Sequence, residues 1–518
     1  MRIFNTAHLD EKSSRLLSSN ETAWIYNGLD CCVTANIFSV LTEQLENNPE
    51  NVKETYKTAL AKNAPIMEMA LRGTKINEMA RQETILELTK TLNMLEAKFQ
   101  RLCEGVVGGP INYNSPTQVK GLFYTSLGLK EIRKRNTKGV FMPTVNEEAL
   151  EQLQKYLNAR PFCKFILMLR DIKKQISFLK TEVDKDGRMR TFYNIAGTNT
   201  GRLSSSMSDF GTGTNLQNVN RSLRYPFEAD AGMYMVNIDL EQADGRNVGA
   251  ICWDLFVDDH GPEFAGSYLD ACESGDLHTA VCRMVWPELD WPDDQESWKD
   301  FCDGLIAHGQ DSYRQLSKKG GHGTNYYGTP RTMAKHLHTN AKVIENFQNL
   351  YFGAFPCIPK WHDLTINQVK EKGVITTLFG RRRTFFGRAN DATTHRQAIA
   401  YAPQSMTGEQ IDRALLAVWR KYPQVQLLNQ VHDSILLQLP FSEATELIPK
   451  VLETMKIELT LKQGRKFFVP LDAAGGWNWG YATKSNSNGL KKWTGKEERD
   501  APSPLRRLND YLKNVKIG

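Results

Sequence analysis

A chain of 518 residues is too long for one ordinary domain and predicts about three or four packed units. Its apolar share of 41% supports substantial cores, and 65 Lys+Arg against 59 Asp+Glu leave a net charge of +6, compatible with a polyanionic partner but not diagnostic of one. Nine scattered cysteines without a Cys-x-x-Cys pair argue against a zinc site or a disulfide framework, no apolar run approaches the ~18 residues of a membrane span, and the first residues lack a secretory apolar core, so a cytoplasmic protein without membrane contact is expected.

In chain order, residues 50–190 read as mainly helical and elongated. Ala64-Pro-Ile-Met-Glu-Met-Ala-Leu-Arg-Gly73 ends one helix at its glycine. Ile85, Leu88, Leu92, Leu95, Phe99 and Leu102 follow at helical spacing. Asn114-Ser-Pro-Thr-Gln118 predicts a helix start, with Ser115 as N-cap, Pro116 at the first helical position and Gln118 at the capping-box position. A further helix is expected over residues 160–179. Tyr234-Met-Val-Asn-Ile-Asp-Leu240 reads as a strand, followed by a helical region over about 248–370. Gly373-Val-Ile-Thr-Thr-Leu-Phe-Gly380 reads as a strand leading into three arginines. Residues 425–439 read as a hairpin turning at His432-Asp433-Ser434. The stretch from Tyr481 is rich in Lys, Ser, Asn and Pro and is expected to be a loosely attached tail. The class is α+β, a mixed sheet flanked by helical regions.

Asp239 ends an apolar strand and Asp433 sits at the tip of an apolar hairpin. Alone, each reads as a solvent-facing acid. Together, two carboxylates at adjacent strand ends suit divalent cations, which accept hard oxygen ligands and share their shell with phosphates. Arg314, Lys318, His322 and Tyr326 recur every four residues, along one slowly drifting face of a helix. A solvated charged stripe fits this mixture poorly, because Gly320, Gly321 and Gly323 each cost a helix roughly 1 kcal/mol. Such a helix needs close approach by something flat, or needs to move. A nucleoside triphosphate on this face places its phosphates at Arg314 and Lys318 and its base nearer His322 and Tyr326.

Six segments in order resemble the family A DNA polymerases. They are Asn112-Tyr-Asn-Ser-Pro-Thr-Gln118 (thumb tip), Thr200-Gly-Arg-Leu-Ser-Ser205 with Asn215-Leu-Gln-Asn218 (template–primer segment), Asp239-Leu-Glu-Gln-Ala-Asp-Gly-Arg246 (motif A), residues 314–328 (motif B, the O helix of the fingers), Leu378-Phe-Gly-Arg-Arg-Arg383, and Gln430-Val-His-Asp433 (motif C). The resemblance implies a right-hand architecture, with a helical thumb and fingers around an antiparallel palm sheet. The implied divisions are an exonuclease remnant or docking piece at 1–48, thumb 49–190, palm 191–250 and 396–480, fingers 251–395 and a tail at 481–518. It implies template-directed extension of a primer by dNTPs, with two magnesium ions (manganese as substitute) on Asp239 and Asp433. Arg314, Lys318 and His278 would hold the triphosphate, and Lys318 would protonate the departing pyrophosphate. Tyr326, His322, Gln242 and Asp244 would surround the nascent pair. Arg202, Asn215, Gln217, Arg381, Arg382, Arg383, Gln404 and His432 would meet primer-template DNA, the arginines as sequence-blind phosphate contacts.

The chain departs from the family at several positions. Asp244 stands where the family usually has Glu, the residue that excludes a ribose 2′-hydroxyl. His322 stands where Phe or Tyr is usual, and Ser434 where motif C ends in Glu. Tyr26-Asn-Gly-Leu-Asp30 resembles the third motif of a 3′–5′ exonuclease, but the 25 residues before it hold no Asp-x-Glu. The expectation is a chain that does not proofread alone, with the exonuclease either lost or supplied by a separate subunit docking on residues 1–45. Rival readings are a single-subunit RNA polymerase and a catalytically silent DNA-binding subunit. A phage source is a weak implication of the compact layout.

Overall fold

The computed structural model describes residues 18–136, 139–208, 211–308, 311–337 and 339–495. The outer ends of the docking piece and of the tail, residues 1–17 and 496–518, lie outside the described residues. The elements used below are, in chain order, α1 (Ser19–Glu46), α2 (Glu50–Ala61), α3 (Glu78–Val107), α4 (Arg160–Leu179), β1 (Met233–Leu240), α5 (Ala243–Glu273), α6 (Leu277–Val285), α7 (Tyr313–Asn325), α8 (Ala341–Ala354), β2 (Val374–Thr376), β3 (Arg382–Thr384), α9 (Ala392–Lys421), β4 (Gln426–Val431), β5 (Ser434–Pro440), β6 (Leu471–Gly476) and β7 (Lys491–Lys492). They fall into two compact units rather than three or four.

One unit contains, among the described residues, those of 64–243, 413–459 and 468–495. Its centre is an antiparallel sheet in the order β4-β5-β1-β6-β7. β1 is buried from Met235 to Ile238, as a central strand covered on both faces must be. Met235, Leu428 and Leu436 pack with Phe227 and Trp479, whose rings meet edge to face at 5.5 Å. The expected tail is corrected here. Residues 490–492 are built into the sheet, with Leu490 only 3% exposed and β7 paired to β6. A polar composition concealed one edge strand.

The helical half of this unit has its own core, with Phe99 and Cys103 of α3 against Phe162 and Ile166 of α4. Asn77 caps α3 at its start, and Gly108 ends it at φ +72, a left-handed turn that glycine adopts without a Cβ penalty. Ser115 caps the short helix Pro116–Lys120 as expected. Only half of the capping box forms, because Gln118 Oε1 accepts from the Asn112 amide instead of from Ser115.

The other unit contains, among the described residues, those of 18–63, 244–412 and 460–467. Residues 49–63 thus group with the segment expected as fingers. The strand expected over 373–380 is also shorter. It becomes the hairpin β2–β3, with Val374 opposite Thr384 and Thr376 opposite Arg382. The chain turns at Gly380, whose φ of +95 prevents the strand from continuing. Helix α7 starts at Ser312, whose Oγ accepts from the Gln315 amide at 3.1 Å. The glycines of α7 face inward. A Cβ on Gly320 would lie 2.9 Å from the Phe347 ring, one on Gly321 would meet the Tyr351 ring, and one on Gly323 would meet Met333. The flat groups that need room beside α7 are thus two aromatic rings of α8.

Candidate functional site

The carboxylate pair is set by backbone pairing. Asp239 is opposite Ser434 across the β1–β5 ladder, and the Leu240 amide donates to the Asp433 carbonyl at 3.0 Å. The expected turn shrinks to two residues, His432 and Asp433, because Val431 pairs directly with Ser434. His432 occupies the left-handed region at φ +56, as such tight hairpins require. Gln430 Nε2 donates to its carbonyl at 2.6 Å. Gln242, three residues past Asp239, is also left-handed at φ +53. Its side-chain Oε1 is buried and has no hydrogen-bond partner among the described residues. Four non-glycine residues with positive φ occur among those described, and Gln242, His432 and Tyr327 are three of them. Each lies within three residues of a predicted site residue. Such conformations cost about 1–3 kcal/mol and persist only where the surroundings enforce them.

The cationic face of α7 is organised by an acid that sequence reasoning missed. Asp276 caps α6 and accepts from Arg314, Nε to Oδ2 at 2.8 Å and Nη2 to Oδ1 at 3.1 Å. Burial works to raise the Asp276 pKa, but hydrogen bonds from Arg314 and Thr279, with the Arg314 charge, hold it below the usual carboxylate range. The signal was present as an Asp one residue before an apolar helical run. His278, two residues on, is pushed down to about 4, chiefly by burial and against the pull of Asp276. It is therefore a neutral hydrogen-bonding group at pH 7, not a second positive charge. Lys318 and His322 are exposed. His322 packs against Tyr326 edge to face at 4.6 Å.

Tyr326 donates to Asp244 Oδ2 at 2.7 Å, and Thr407 of α9 donates to Oδ1 at 2.7 Å. Asn247 Nδ2 in turn lies 3.1 Å from the Thr407 oxygen. Asp244 is thus held between the end of α7 and the buried side of α9. Within this unit the fold brings together His278, Arg314, Lys318, His322, Tyr326 and Asp244, carried by α5, α6 and α7.

The residues expected to meet a duplex divide more sharply. His432 is exposed, while Arg202, Asn215 and Gln404 are partly buried. Asn215 Oδ1 accepts from Ser205 and from the Gln217 amide. Gln217 is 7% exposed, and its Nε2 donates to the Gln430 carbonyl and side chain at 3.1 and 3.0 Å. In this structure it is a buried strut between the two segments. Arg381 donates through Nε to the buried Glu409 at 2.6 Å. That pair compensates its charge internally, unlike the two arginines that follow. Arg382 is exposed, and Arg383 lies over the Phe385 ring at 4.4 Å.

Residues 78–256 and 303–481 match the sequence model of DNA polymerase family A. This chain belongs to that family. It is 26% identical over 439 residues to the thermostable DNA polymerase I of Thermus filiformis, covering 81% of this chain and 47% of the relative. DNA polymerase I of Treponema pallidum (strain Nichols) is 23% identical over 451 residues, 83% of this chain and 41% of the relative. The chain thus spans about half the length of the curated relatives it matches. A solved structure described as the POL domain of Pol1 from M. smegmatis, in complex with DNA primer-template and dNTP, superposes with a TM-score of 0.64 at 21% identity. It covers 81% of this chain and 70% of that one. The α+β class and the polymerase-domain fold expected from the sequence are borne out.

Two of the departures from the family pattern have defined hydrogen-bond partners. The shorter carboxylate of Asp244 is bonded on both oxygens. Ser434, in place of an acid, donates its hydroxyl to the Val431 carbonyl at 3.0 Å. Among the described residues no three His, Cys, Asp or Glu side chains gather as a metal cluster. Two neighbouring carboxylates nonetheless fit magnesium, which binds through one or two of them and fills its shell with water and substrate phosphates.

Proposed function

We propose that this chain is a DNA-directed DNA polymerase that adds dNTPs to a primer 3′ end and releases pyrophosphate. The observation that carries the reading is the Asp239–Asp433 pair, one acid on β1 and the other in the turn entering its neighbour β5, in a family A chain that also keeps the cationic face of α7. Asp239 and Asp433 would hold magnesium, or manganese in its place, which when bound activates the primer hydroxyl and offsets charge on the transferring phosphorus. Arg314, oriented by Asp276, and Lys318 bind the triphosphate, and Lys318 supplies a proton to the departing pyrophosphate. His278 donates to a phosphate as a neutral imidazole. Tyr326, His322, Asp244 and Gln242 shape the position of the incoming nucleotide. Arg202, Asn215, Gln404, Arg382, Arg383 and His432 grip the template and primer. The thumb, palm and fingers divisions are part of the same reading, and so is a cytoplasmic setting, which nine unpaired cysteines support.

We also propose that α1 docks a separate polypeptide bearing 3′–5′ exonuclease activity. None of the 28 residues of α1 is buried, and Trp24, Tyr26 and Phe38 are 70%, 64% and 61% exposed. Co-purification with a nuclease-like partner and a gain of 3′–5′ degradation in the complex are expected. Neither being seen removes this part of the reading.

The polymerase reading is tested by primer extension with magnesium, comparing dNTPs with rNTPs. Extension by dNTPs is expected. Extension by rNTPs alone selects the RNA polymerase, and duplex binding without extension selects the silent DNA-binding subunit.

A further inference from the structure

Hairpin β2–β3 has three residues per strand, too little pairing to hold its own orientation. What holds it is residues 48–62, none of which lies in the stretches matched to the family. Gly380 at the turn sits directly against the start of α2, where a Cβ would meet the Asn51 carbonyl oxygen at 2.4 Å. Thr55 of α2 donates to the Phe379 carbonyl in a buried contact. Asn48, just before α2, accepts from Arg382 Nη1 at 2.5 Å.

The contacts then close into a ring through α9. Arg381 is bonded to Glu409 of that helix. Three residues along, Asp412 pairs with Lys62 at 2.5 Å, their side chains 3% and 1% exposed. Lys62 caps the C-terminal end of α2. Helix α2, the hairpin and α9 are therefore each tied to the other two. A buried ion pair adds little net stability, but its geometry is demanding, because either partner left alone is costly. Of the three guanidiniums of the hairpin, that of Arg381 is bonded to a buried acid, while those of Arg382 and Arg383 meet neutral groups. Arg382 is steered by Asn48. Arg383 is steered by the Phe385 ring and by Gln397, which accepts from Nη2 at 3.0 Å.

We propose that residues 48–62 are a brace that aims Arg382 and Arg383, and that the group they grip is the phosphodiester backbone of a nucleic-acid duplex. Asn48, Thr55 and Lys62 are positioning residues in this scheme. The ligand class rests on the polymerase reading. The brace rests on the ring of contacts.

The test is equilibrium binding of the full chain to a fluorescent primer-template duplex over a range of salt concentrations, with thermal midpoints as a fold control. Asn48→Ala is expected to weaken binding roughly three- to tenfold and to lower the slope of log K against log salt by about 0.9, one phosphate contact. Arg382→Ala should do the same, and N48A/R382A should be no weaker than R382A, since one side chain acts through the other. Thr55→Val should weaken binding in the same direction and Thr55→Ser restore it. Unchanged affinity and slope in N48A, or independent addition of N48A and R382A, overturns the brace. Failure of the wild-type chain to bind duplex overturns the polymerase reading and the ligand named here, a result distinct from unchanged binding in N48A.

Discussion

The carboxylates of β1 and of the β4–β5 turn and the cations of α7 are held by different means. Asp239 and Asp433 take their places from backbone pairing, through a ladder running from Ser434–Asp239 to Pro440–Met233 and a two-residue turn. Their positions depend little on which apolar side chains fill the sheet. Arg314, Lys318 and His322 ride on a helix whose position is set by side chains, with glycines admitting Phe347 and Tyr351, and Asp276 fixing Arg314. The backbone site is insensitive to repacking and intolerant of a lost ligand. The helix site is sensitive to single methyl groups.

The largest test of that contrast is Asp433→Asn, which keeps the turn and removes a charge. Primer extension should fall by several orders of magnitude while the thermal midpoint and duplex binding stay close to wild type. Retained extension would break the assignment of the carboxylates.

Acid should act on the helix-bearing unit. His362 is 2% exposed, donates through Nε2 to the Asn325 carbonyl at 2.9 Å, and is pushed down to about 4 by burial. The unfolded chain, with a histidine near 6.5, binds more protons between these values. The stabilising contribution is complete above pH 6.5 and is lost as pH falls towards 4, up to about 3 kcal/mol for this group. Urea midpoints at pH 7 and 5 should differ more in the wild type than in His362→Gln; equal differences would count against His362 as the titrating group.

Gly320→Ala improves intrinsic helix propensity by about 1 kcal/mol yet forces a methyl into the Phe347 ring. Crowding of this kind costs about 1–3 kcal/mol, so a net loss of stability and a raised dNTP KM are expected, read by calorimetry and steady-state kinetics. A stabilised variant with unchanged kinetics would show that the ring simply moves. The smallest effect is expected for Ser312→Ala, which removes the α7 cap and the contact from Ser312 Oγ to Asp303 at 2.8 Å. About 1 kcal/mol of stability should be lost, and primer extension should hardly change.

Much of this protein was legible because its signals are local. The apolar run before Asp239, the hairpin around Asp433 and the four-residue recurrence from Arg314 to Tyr326 each declare an element without reference to the rest of the chain. Helix α4 falls on the residues its pattern marked. What the sequence left unread shares a cause. Gln217 and Arg381 carry surface-type side chains, and whether an amide or guanidinium meets solvent or a buried partner depends on residues 213 positions away in one case and 28 in the other. The strand at Lys491–Lys492 was hidden by polar composition, because an edge strand needs only a partner, not an apolar face.

The sequence by itself determined which groups carry charge and which elements carry them, since periodicity, caps and turn residues act within a few positions. Only the tertiary structure decided which of those charges remain available. Burial and pairing between distant segments neutralise His278, commit Arg381 to Glu409 and pin both oxygens of Asp244. These are energies of contact and desolvation, which no single stretch of sequence contains.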